Sequence, residues 1–133
     1  MRYENFLKNE YYRVTGRGVS QDNLFVDDND RARFVFLLTH FQSPIRIYNV
    51  SWYTTAFLKK GLFSTGEDKV KDILKQRSIE LTSFNISPNH FDIILKNLED
   101  QVLSVYMHRI LTSYGKYFNK KYKRVGHVFA GPF

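Results

Sequence analysis

Two apolar segments flank a short Ser-Pro-Asn turn at residues 87–89, and together they predict a β-hairpin. The first segment runs from Ile79 to Ile86 and the second from His90 to Lys96. Because side chains two residues apart in a strand share a face, His90 and Asp92 should project from the same side. An imidazole and a carboxylate so placed form half of a site for a hard divalent cation, Mg²⁺ or Mn²⁺. The alternative is that both are ordinary surface residues beside a turn.

The composition excludes several classes of protein. A chain of 133 residues with 43% hydrophobic residues suffices for one globular domain and is too apolar for a disordered protein. No apolar run approaches the length of a membrane span, and the N-terminus lacks the apolar core of a signal peptide. Since there is also no cysteine for disulfides or thiolate metal sites, we expect a soluble intracellular protein. The net charge of +7 favours nucleic acid as the partner.

The N-terminal region predicts a strand and then a helix. The segment from Tyr11 to Thr15 is rich in aromatic and β-branched residues, which favours a strand, and the glycines within residues 16–18 predict a turn that ends it. On that turn Arg17 would either contact a phosphate group or lie in solvent. An Asp-Asp-Asn-Asp run predicts the start of a helix over residues 27–41, because acidic side chains cap a first turn. We expect His40 on the surface of this helix or at its boundary with the core.

The middle of the chain is less regular. Residues 45–63 are aromatic without a helical period, and we expect an irregular segment whose rings pack on the core or stack on bases. Ser64 and Glu67 form a capping-box pattern, which predicts a helix that continues to Arg77. A long helix over residues 101–123 carries an apolar stripe at helical spacing.

The end of the long helix is strongly basic. Its basic residues alternate with tyrosines and exceed what the helix dipole alone would favour. The sequence therefore predicts a phosphate-binding surface. The candidate nucleic-acid-binding residues are Arg17, Arg109, Lys116, Lys120, Lys121, Lys123 and Arg124.

Four segments resemble one known family. Residues 88–91, Pro-Asn-His-Phe, resemble the signature strand of the HUH nucleases (His, hydrophobic, His), and most closely that of the single-tyrosine transposases of the insertion-sequence and REP-associated kind. Arg17 and Gly18 resemble part of that family's turn after its first strand. Residues 113–124 and 126–133 resemble the family's Tyr-x-x-Tyr-Phe-Asn, basic and Gly-His segments.

This resemblance implies a fold and a function. The fold would be α+β, with a ferredoxin-like antiparallel sheet, helices packed on one face and the His90 strand in the centre. Residues 1–133 would form a single domain, with an insertion at about 42–66. The function would be recognition of single-stranded DNA hairpins and DNA transposition, a form of DNA recombination, by a homodimer. A tyrosine would attack a phosphodiester while a divalent cation stabilises the phosphoryl oxygens.

The chain departs from the family pattern at Arg13 and Gly16 near the first strand, and at two points that bear on catalysis. Asp92 stands where the second histidine is expected, so we expect weak binding of Mg²⁺ or Mn²⁺, or none. The family's nucleophilic tyrosine lies on a helix after its last strand, and we expect this catalytic helix to be absent, because the chain ends at Phe133, inside or just after the corresponding segment. Tyr114, Tyr117 and Tyr122 precede that segment and are not assigned the role. We therefore expect impaired catalysis. Either a partial chain of a transposase or a decayed copy that still folds would account for these departures.

Two other functions remain open. The same scaffold could serve as a non-catalytic nucleic-acid-binding module for DNA or RNA. It could also be a basic structural domain without a specific ligand. For a transposase we expect a prokaryotic cytoplasmic location, associated with the nucleoid and not with a membrane.

Overall fold

The chain forms an antiparallel sheet with α-helices, seen in a computed structural model that describes residues 5–61, 66–131 and 133. In chain order the described elements are β1 (Tyr11–Arg17), a 3-10 turn (Val19–Gln21), α1 (Asp28–His40), α2 (Val50–Lys60), α3 (Glu67–Lys75), β2 (Ile79–Ser87), β3 (His90–Asn97) and α4 (Val102–Tyr122). The strand order is β1-β3-β2, so the hairpin strand that begins at His90 is central. The predicted α+β fold is confirmed.

Side chains alternate between the two faces of β3. Phe91 and Ile93 are buried, and the ring of Phe34 on α1 lies 5.0 Å from that of Phe91. His90 and Asp92 lie on the opposite face and are partly exposed. The helices α1 and α4 thus cover one face of the sheet, as the sequence predicted, and leave the polar face accessible.

The two core helices were predicted within a residue or two of their ends. The side chain of Asp27 caps α1 by accepting a hydrogen bond from the backbone N–H of Asp30, at 2.9 Å. On α4 the hydroxyl of Tyr106 donates to the carbonyl oxygen of Leu38 at 2.6 Å, which joins the two helices. Although α4 is 21 residues long, no described helix is both long and apolar enough to cross a membrane.

The predicted turn at residues 16–18 is wrong. Strand β1 continues through Gly16 and Arg17, which pair with Phe91 and His90 of β3. A side chain at position 16 would collide with the ring of Phe91, which is fully buried. Glycine is therefore needed here for close approach to a ring, and not for a turn. Arg17 therefore lies at the end of a strand and not on a turn.

The segment predicted to be irregular contains a helix. Helix α2 spans Val50–Lys60, packs against α1, and ends at Gly61, whose φ of 77° favours glycine. Aromatic and β-branched residues lower its intrinsic helix propensity, so packing on α1 stabilises it. Trp52 and Leu58 remain exposed. That residues 42–66 form an insertion stays a prediction.

Helix α3 was predicted with a different start. The predicted cap Ser64 lies outside the described residues, and the residue that precedes the helix is Gly66. On the predicted apolar side Ile73 is buried, whereas Val70 and Leu74 are exposed. The apolar pattern therefore predicted the helix but overestimated how much of it is covered.

His40 is buried, which corrects the prediction that it lies on the helix surface or at its boundary with the core. Its ring stacks on that of Phe36 with 3.8 Å between centroids, and Nδ1 lies 3.0 Å from the carbonyl oxygen of Phe36. Burial lowers the pKa of His40, although the hydrogen bond to Phe36 opposes the shift. The prediction failed because α1 is covered by α2 as well as by α4 and the sheet.

Candidate functional site

A pocket of about 470 Å³ opens on the polar face of the sheet where β1 meets β3. In the strand register Thr15 lies opposite Asp92 and Arg17 opposite His90, so the sheet itself brings these side chains together. We call this site the β1–β3 pocket, and three residues predicted from the sequence line it: Arg17, His90 and Asp92. Its described lining consists of Thr15, Gly16, Arg17, Gln21, Asn89, His90, Asp92, Ala130 and Phe133.

The imidazole of His90 is oriented by its neighbour. Nδ1 lies 3.0 Å from Oδ1 of Asn89. In the tautomer that carries its proton on Nδ1, this contact is a hydrogen bond to the amide oxygen and the lone pair of Nε2 is available to a ligand. Nε2 lies 4.0 Å from Oδ2 of Asp92. Neighbouring ligands of a six-coordinate cation lie roughly 3 Å apart, so the two atoms would have to approach by about 1 Å to share one.

The other oxygen of Asp92 is already paired. Nη2 of Arg13 donates to Oδ1 of Asp92 at 3.1 Å, and the carboxylate is only 26% exposed. No group of three or more histidine, cysteine or acidic side chains suited to a metal occurs within the described ranges. His90 and Asp92 therefore supply at most two protein ligands here, and one oxygen of Asp92 is already occupied by Arg13.

The C-terminal segment forms one wall of the pocket. The backbone N–H of Ala130 donates to the carbonyl oxygen of Arg17 at 2.8 Å, and that of Val19 donates to Val128 at 3.0 Å. In the described part of the segment that corresponds to the family's last strand, the pairing with β1 consists of a single β-bridge between Gly18 and Phe129. This contact fixes the end of β1 and with it the backbone of Arg17.

A second candidate site follows the solvent side of α4. Two clefts of about 640 Å³ each adjoin there and share Ser113 and Lys116. We call the combined surface the α4 groove; none of its lining residues lines the β1–β3 pocket. Its cationic and histidine side chains are Arg33, Arg46, His108, Arg109, Lys116, Lys120 and Lys121.

Four of the seven predicted nucleic-acid-binding residues present their charge to solvent. Lys116 and Lys120 are exposed in the α4 groove, and Lys123 is exposed just beyond α4. Arg17 is exposed at the β1–β3 pocket. Among the residues that the structure describes, none of the four side chains has a hydrogen-bond or ion-pair partner. They are therefore available to phosphate groups.

Two predicted cations are held by the protein itself. Nη1 of Arg109 donates to the carbonyl oxygen of Ser43 at 2.9 Å, and burial lowers the pKa of Arg109. Nη1 of Arg124 donates to the side-chain oxygen of Asn119 at 3.0 Å. Arg109 thereby also holds the backbone at Ser43 next to α4.

The third such cation, Lys121, belongs to a cluster around the buried Asp30 that sequence reasoning missed. Asp30 is fully buried and accepts hydrogen bonds from the hydroxyls of Tyr117 and Tyr122, both at 2.6 Å, and from Nζ of Lys121 at 2.8 Å. Lys121 also contacts Asp27 at 2.6 Å. We call these five residues the Asp30 cluster, and it ties the start of α1 to the end of α4.

The cluster shifts the pKa values of its members. Burial alone would raise the pKa of Asp30, but the hydrogen bonds from Lys121, Tyr117 and Tyr122 outweigh it and the pKa is lowered. Burial would likewise lower the pKa of Lys121, yet its bonds to Asp27 and Asp30 raise it. Both groups are therefore charged at neutral pH. The acidic run gave a signal for capping, but nothing in the sequence linked it to α4.

The tyrosines of α4 are also engaged in the protein interior. The hydroxyl of Tyr114, which is fully buried, donates to the carbonyl oxygen of Leu24. Burial raises the pKa of Tyr114, and burial together with Asp30 raises that of Tyr117. Neither residue lines the β1–β3 pocket, and neither does Tyr122.

Sequence reasoning missed several cations near the two sites. Arg13 lies two residues before Thr15 on the same strand face, and alternation with Arg17 was the available signal. Arg33 and Arg46 join the α4 groove only because α1 and the segment after it pack beside α4. These contacts between distant segments have no local sequence pattern.

One comparison with known proteins identified a family. The family model described as "Transposase IS200 like" matches residues 39–133, more than two thirds of the chain. The match includes β2, β3 and α4, and it begins after β1 and most of α1. No curated protein and no solved structure matched significantly.

Proposed function

The chain belongs to the IS200-like transposase family, and we propose that it recognises single-stranded DNA hairpins through the α4 groove. The observation that carries this proposal is the pair of exposed lysines, Lys116 and Lys120, on the cleft between α4 and α2. Their charges have no partner among the described residues, so phosphate groups can replace their counterions. A transposase acting on chromosomal DNA would work in the cytoplasm at the nucleoid.

Aromatic and cationic groups adjoin in the groove. The guanidinium carbon of Arg33 lies 4.7 Å from the centre of the Tyr117 ring, and Nη1 of Arg33 donates to the hydroxyl of Ser51 at 2.8 Å. Stacked rings and guanidinium planes suit unpaired bases, whereas lysines follow a phosphate backbone. The presence of both kinds of group along one surface supports the proposed recognition of a partly single-stranded hairpin.

For the β1–β3 pocket we propose weak binding of Mg²⁺ or Mn²⁺ to His90 and Asp92. Two protein ligands, one of them shared with Arg13, support an affinity well below that of a complete site. When bound, the cation would stabilise negative charge on phosphoryl oxygens. An incomplete donor set, and α4 tyrosines whose hydroxyls are occupied, support our further proposal that catalysis is impaired.

We also propose that the protein acts as a homodimer. Strand β2 lies at an edge of the sheet and exposes Phe84, which supports pairing with a second copy. The alternative function is a non-catalytic module for DNA or RNA. The α4 groove would serve either function. The two functions are therefore distinguished by whether DNA or RNA binds more tightly.

A binding experiment tests the groove. We compare wild type, Lys116→Gln/Lys120→Gln and the matched control Lys71→Gln/Lys75→Gln, which removes the same charge from α3. The ligands are a labelled DNA hairpin with single-stranded flanks and the corresponding RNA hairpin. Each phosphate contact on single-stranded DNA contributes about 0.7 to the magnitude of the slope of log K against log salt. Loss of two contacts should therefore reduce that magnitude by about 1.4.

The outcomes separate the proposals. We expect the groove variant to bind DNA about tenfold more weakly at low salt and the α3 variant to match wild type. Equal losses in both variants would mean that net charge, and not the groove, determines binding. Preference for the RNA hairpin would favour the alternative function.

A further inference from the structure

Arg13 and Asp92 meet diagonally across the β1–β3 pair. Asp92 lies opposite Thr15, and Arg13 precedes Thr15 by two residues on the same face. Nη2 of Arg13 reaches Oδ1 of Asp92 at 3.1 Å, while Oδ2 faces Nε2 of His90 at 4.0 Å. Each carboxylate oxygen therefore has its own cationic or polar neighbour.

This arrangement disfavours a divalent cation. A metal between Nε2 of His90 and Oδ2 of Asp92 would share its carboxylate with a permanently charged guanidinium. The two positive charges would repel each other across a site that is only partly exposed. The single negative charge of Asp92 balances one positive charge, and Arg13 already supplies it.

The same arrangement favours an oxyanion. The side chain of Arg13 is 69% exposed and uses one of its donors on Asp92, so its other N–H groups face solvent. Arg17 projects from the same strand face and lines the pocket, with the hydroxyl-bearing Thr15 between them. Guanidinium groups bind phosphate oxygens with directed pairs of hydrogen bonds.

We propose that Arg13, which lies beside the β1–β3 pocket and pairs with Asp92 of its lining, takes the place of a metal ion at this carboxylate, so that the pocket binds a phosphodiester oxyanion without a divalent cation. Asp92 then serves to position Arg13, and His90 is part of the pocket lining beside it. The inference rests on the proposed DNA-binding function and deepens it, because it states how this second surface receives the strand. It also explains why the affinity for Mg²⁺ or Mn²⁺ should be weak.

Two titrations test the proposal on wild type, Arg13→Gln, Arg13→Lys and the control Glu80→Gln, a substitution on β2 outside the pocket lining. The first is calorimetry with Mn²⁺ alone. Arg13→Gln should bind Mn²⁺ about tenfold more tightly than wild type, whereas Arg13→Lys and Glu80→Gln should stay within about twofold of it. The second is binding of a short single-stranded oligonucleotide in EDTA, where Arg13→Gln should lose about fivefold in affinity.

The proposal is overturned if Arg13→Gln equals wild type in either titration, or if the wild type binds the strand at this surface only when Mn²⁺ is present. A wild type that binds no oligonucleotide under any condition would instead remove the DNA-binding function itself. Lysine keeps the positive charge of arginine but lacks its planar guanidinium. Low Mn²⁺ affinity in Arg13→Lys would therefore show that the positive charge at position 13 is what weakens metal binding.

Discussion

The ring of Phe91 occupies the space that a side chain at position 16 would need. Phe91 is fully buried, and its ring lies 5.0 Å from that of Phe34 and 6.0 Å from that of Phe129. These neighbours prevent it from moving aside. The close approach of Gly16 to Phe91 therefore fixes the distance between β1 and the core under the pocket.

We predict opposite effects of alanine at two glycines. Gly16→Ala should destabilise the protein by about 1–3 kcal/mol, since overpacking a fixed core forces side chains or backbone to shift. Gly115→Ala should be neutral or stabilise by up to about 1 kcal/mol, because alanine has the higher helix propensity at this position within α4. The added Cβ would lie 4.0 Å from the side chain of Val128, an ordinary contact distance. Urea denaturation of both variants measures the difference. Equal stability of Gly16→Ala and wild type would show that β1 can move away from Phe91.

Local patterns predicted the hairpin and the two core helices. The turn at Pro88 and the apolar alternation gave β2 and β3, and the stripe on α4 gave the buried residues from Leu103 to Phe118. They failed at Gly16 because a glycine signals either a turn or a close approach. Only the register with Phe91, a residue far along the chain, decides between the two.

The candidate site was predicted only in part, because local patterns do not show which distant segments pair. The period of a strand placed His90 beside Asp92, but the cross-strand partner Arg13 depends on the pairing of β1 with β3. Charge density on α4 identified a basic surface without showing which lysines are neutralised. Lys121 is neutralised by Asp30 and Asp27, which lie about ninety positions earlier in the sequence.

Neighbouring lysines on α4 should therefore behave differently. Lys121→Ala should destabilise the protein by roughly 3 kcal/mol, because it leaves the buried carboxylate of Asp30 without its cation. Lys120→Ala should leave stability within about 0.5 kcal/mol of wild type and weaken DNA binding, since this side chain is exposed. Chemical denaturation and hairpin binding are measured on both. If Lys121→Ala weakens binding without loss of stability, Lys121 belongs to the nucleic-acid interface instead.

His40 should make stability depend on pH in the weakly acidic range. Burial lowers its pKa in the folded state, so the unfolded chain, with a histidine pKa of about 6.5, binds more protons as the pH falls. The contribution of the neutral His40 to the free energy of unfolding is therefore fully present above about pH 6.5. It is lost progressively below that pH, until the pH reaches the folded-state pKa of His40. Melting temperatures between pH 7.5 and 5 should fall more steeply for wild type than for His40→Gln. His108, which is exposed, provides the control His108→Gln, whose profile should follow wild type.

The last prediction concerns covalent chemistry by the tyrosines of α4. A tyrosine nucleophile must lose its proton and stand in line with the phosphorus atom. Tyr114 is buried with its hydroxyl on Leu24, and the hydroxyls of Tyr117 and Tyr122 donate to Asp30. The shifts that raise the pKa values of all three oppose formation of the phenolate.

The 133-residue chain should therefore form no covalent adduct with end-labelled single-stranded DNA, with either Mg²⁺ or Mn²⁺. Asp92→His alone should not change this, because it alters the cation site and leaves these three hydroxyls where they are. A denaturing gel measures the adduct, with a cleavage-competent single-tyrosine transposase as positive control. A shifted, protease-sensitive band from the unmodified chain would contradict the prediction. Phenylalanine substitutions at Tyr114, Tyr117 and Tyr122 would then identify which of them had left its partner to attack the strand.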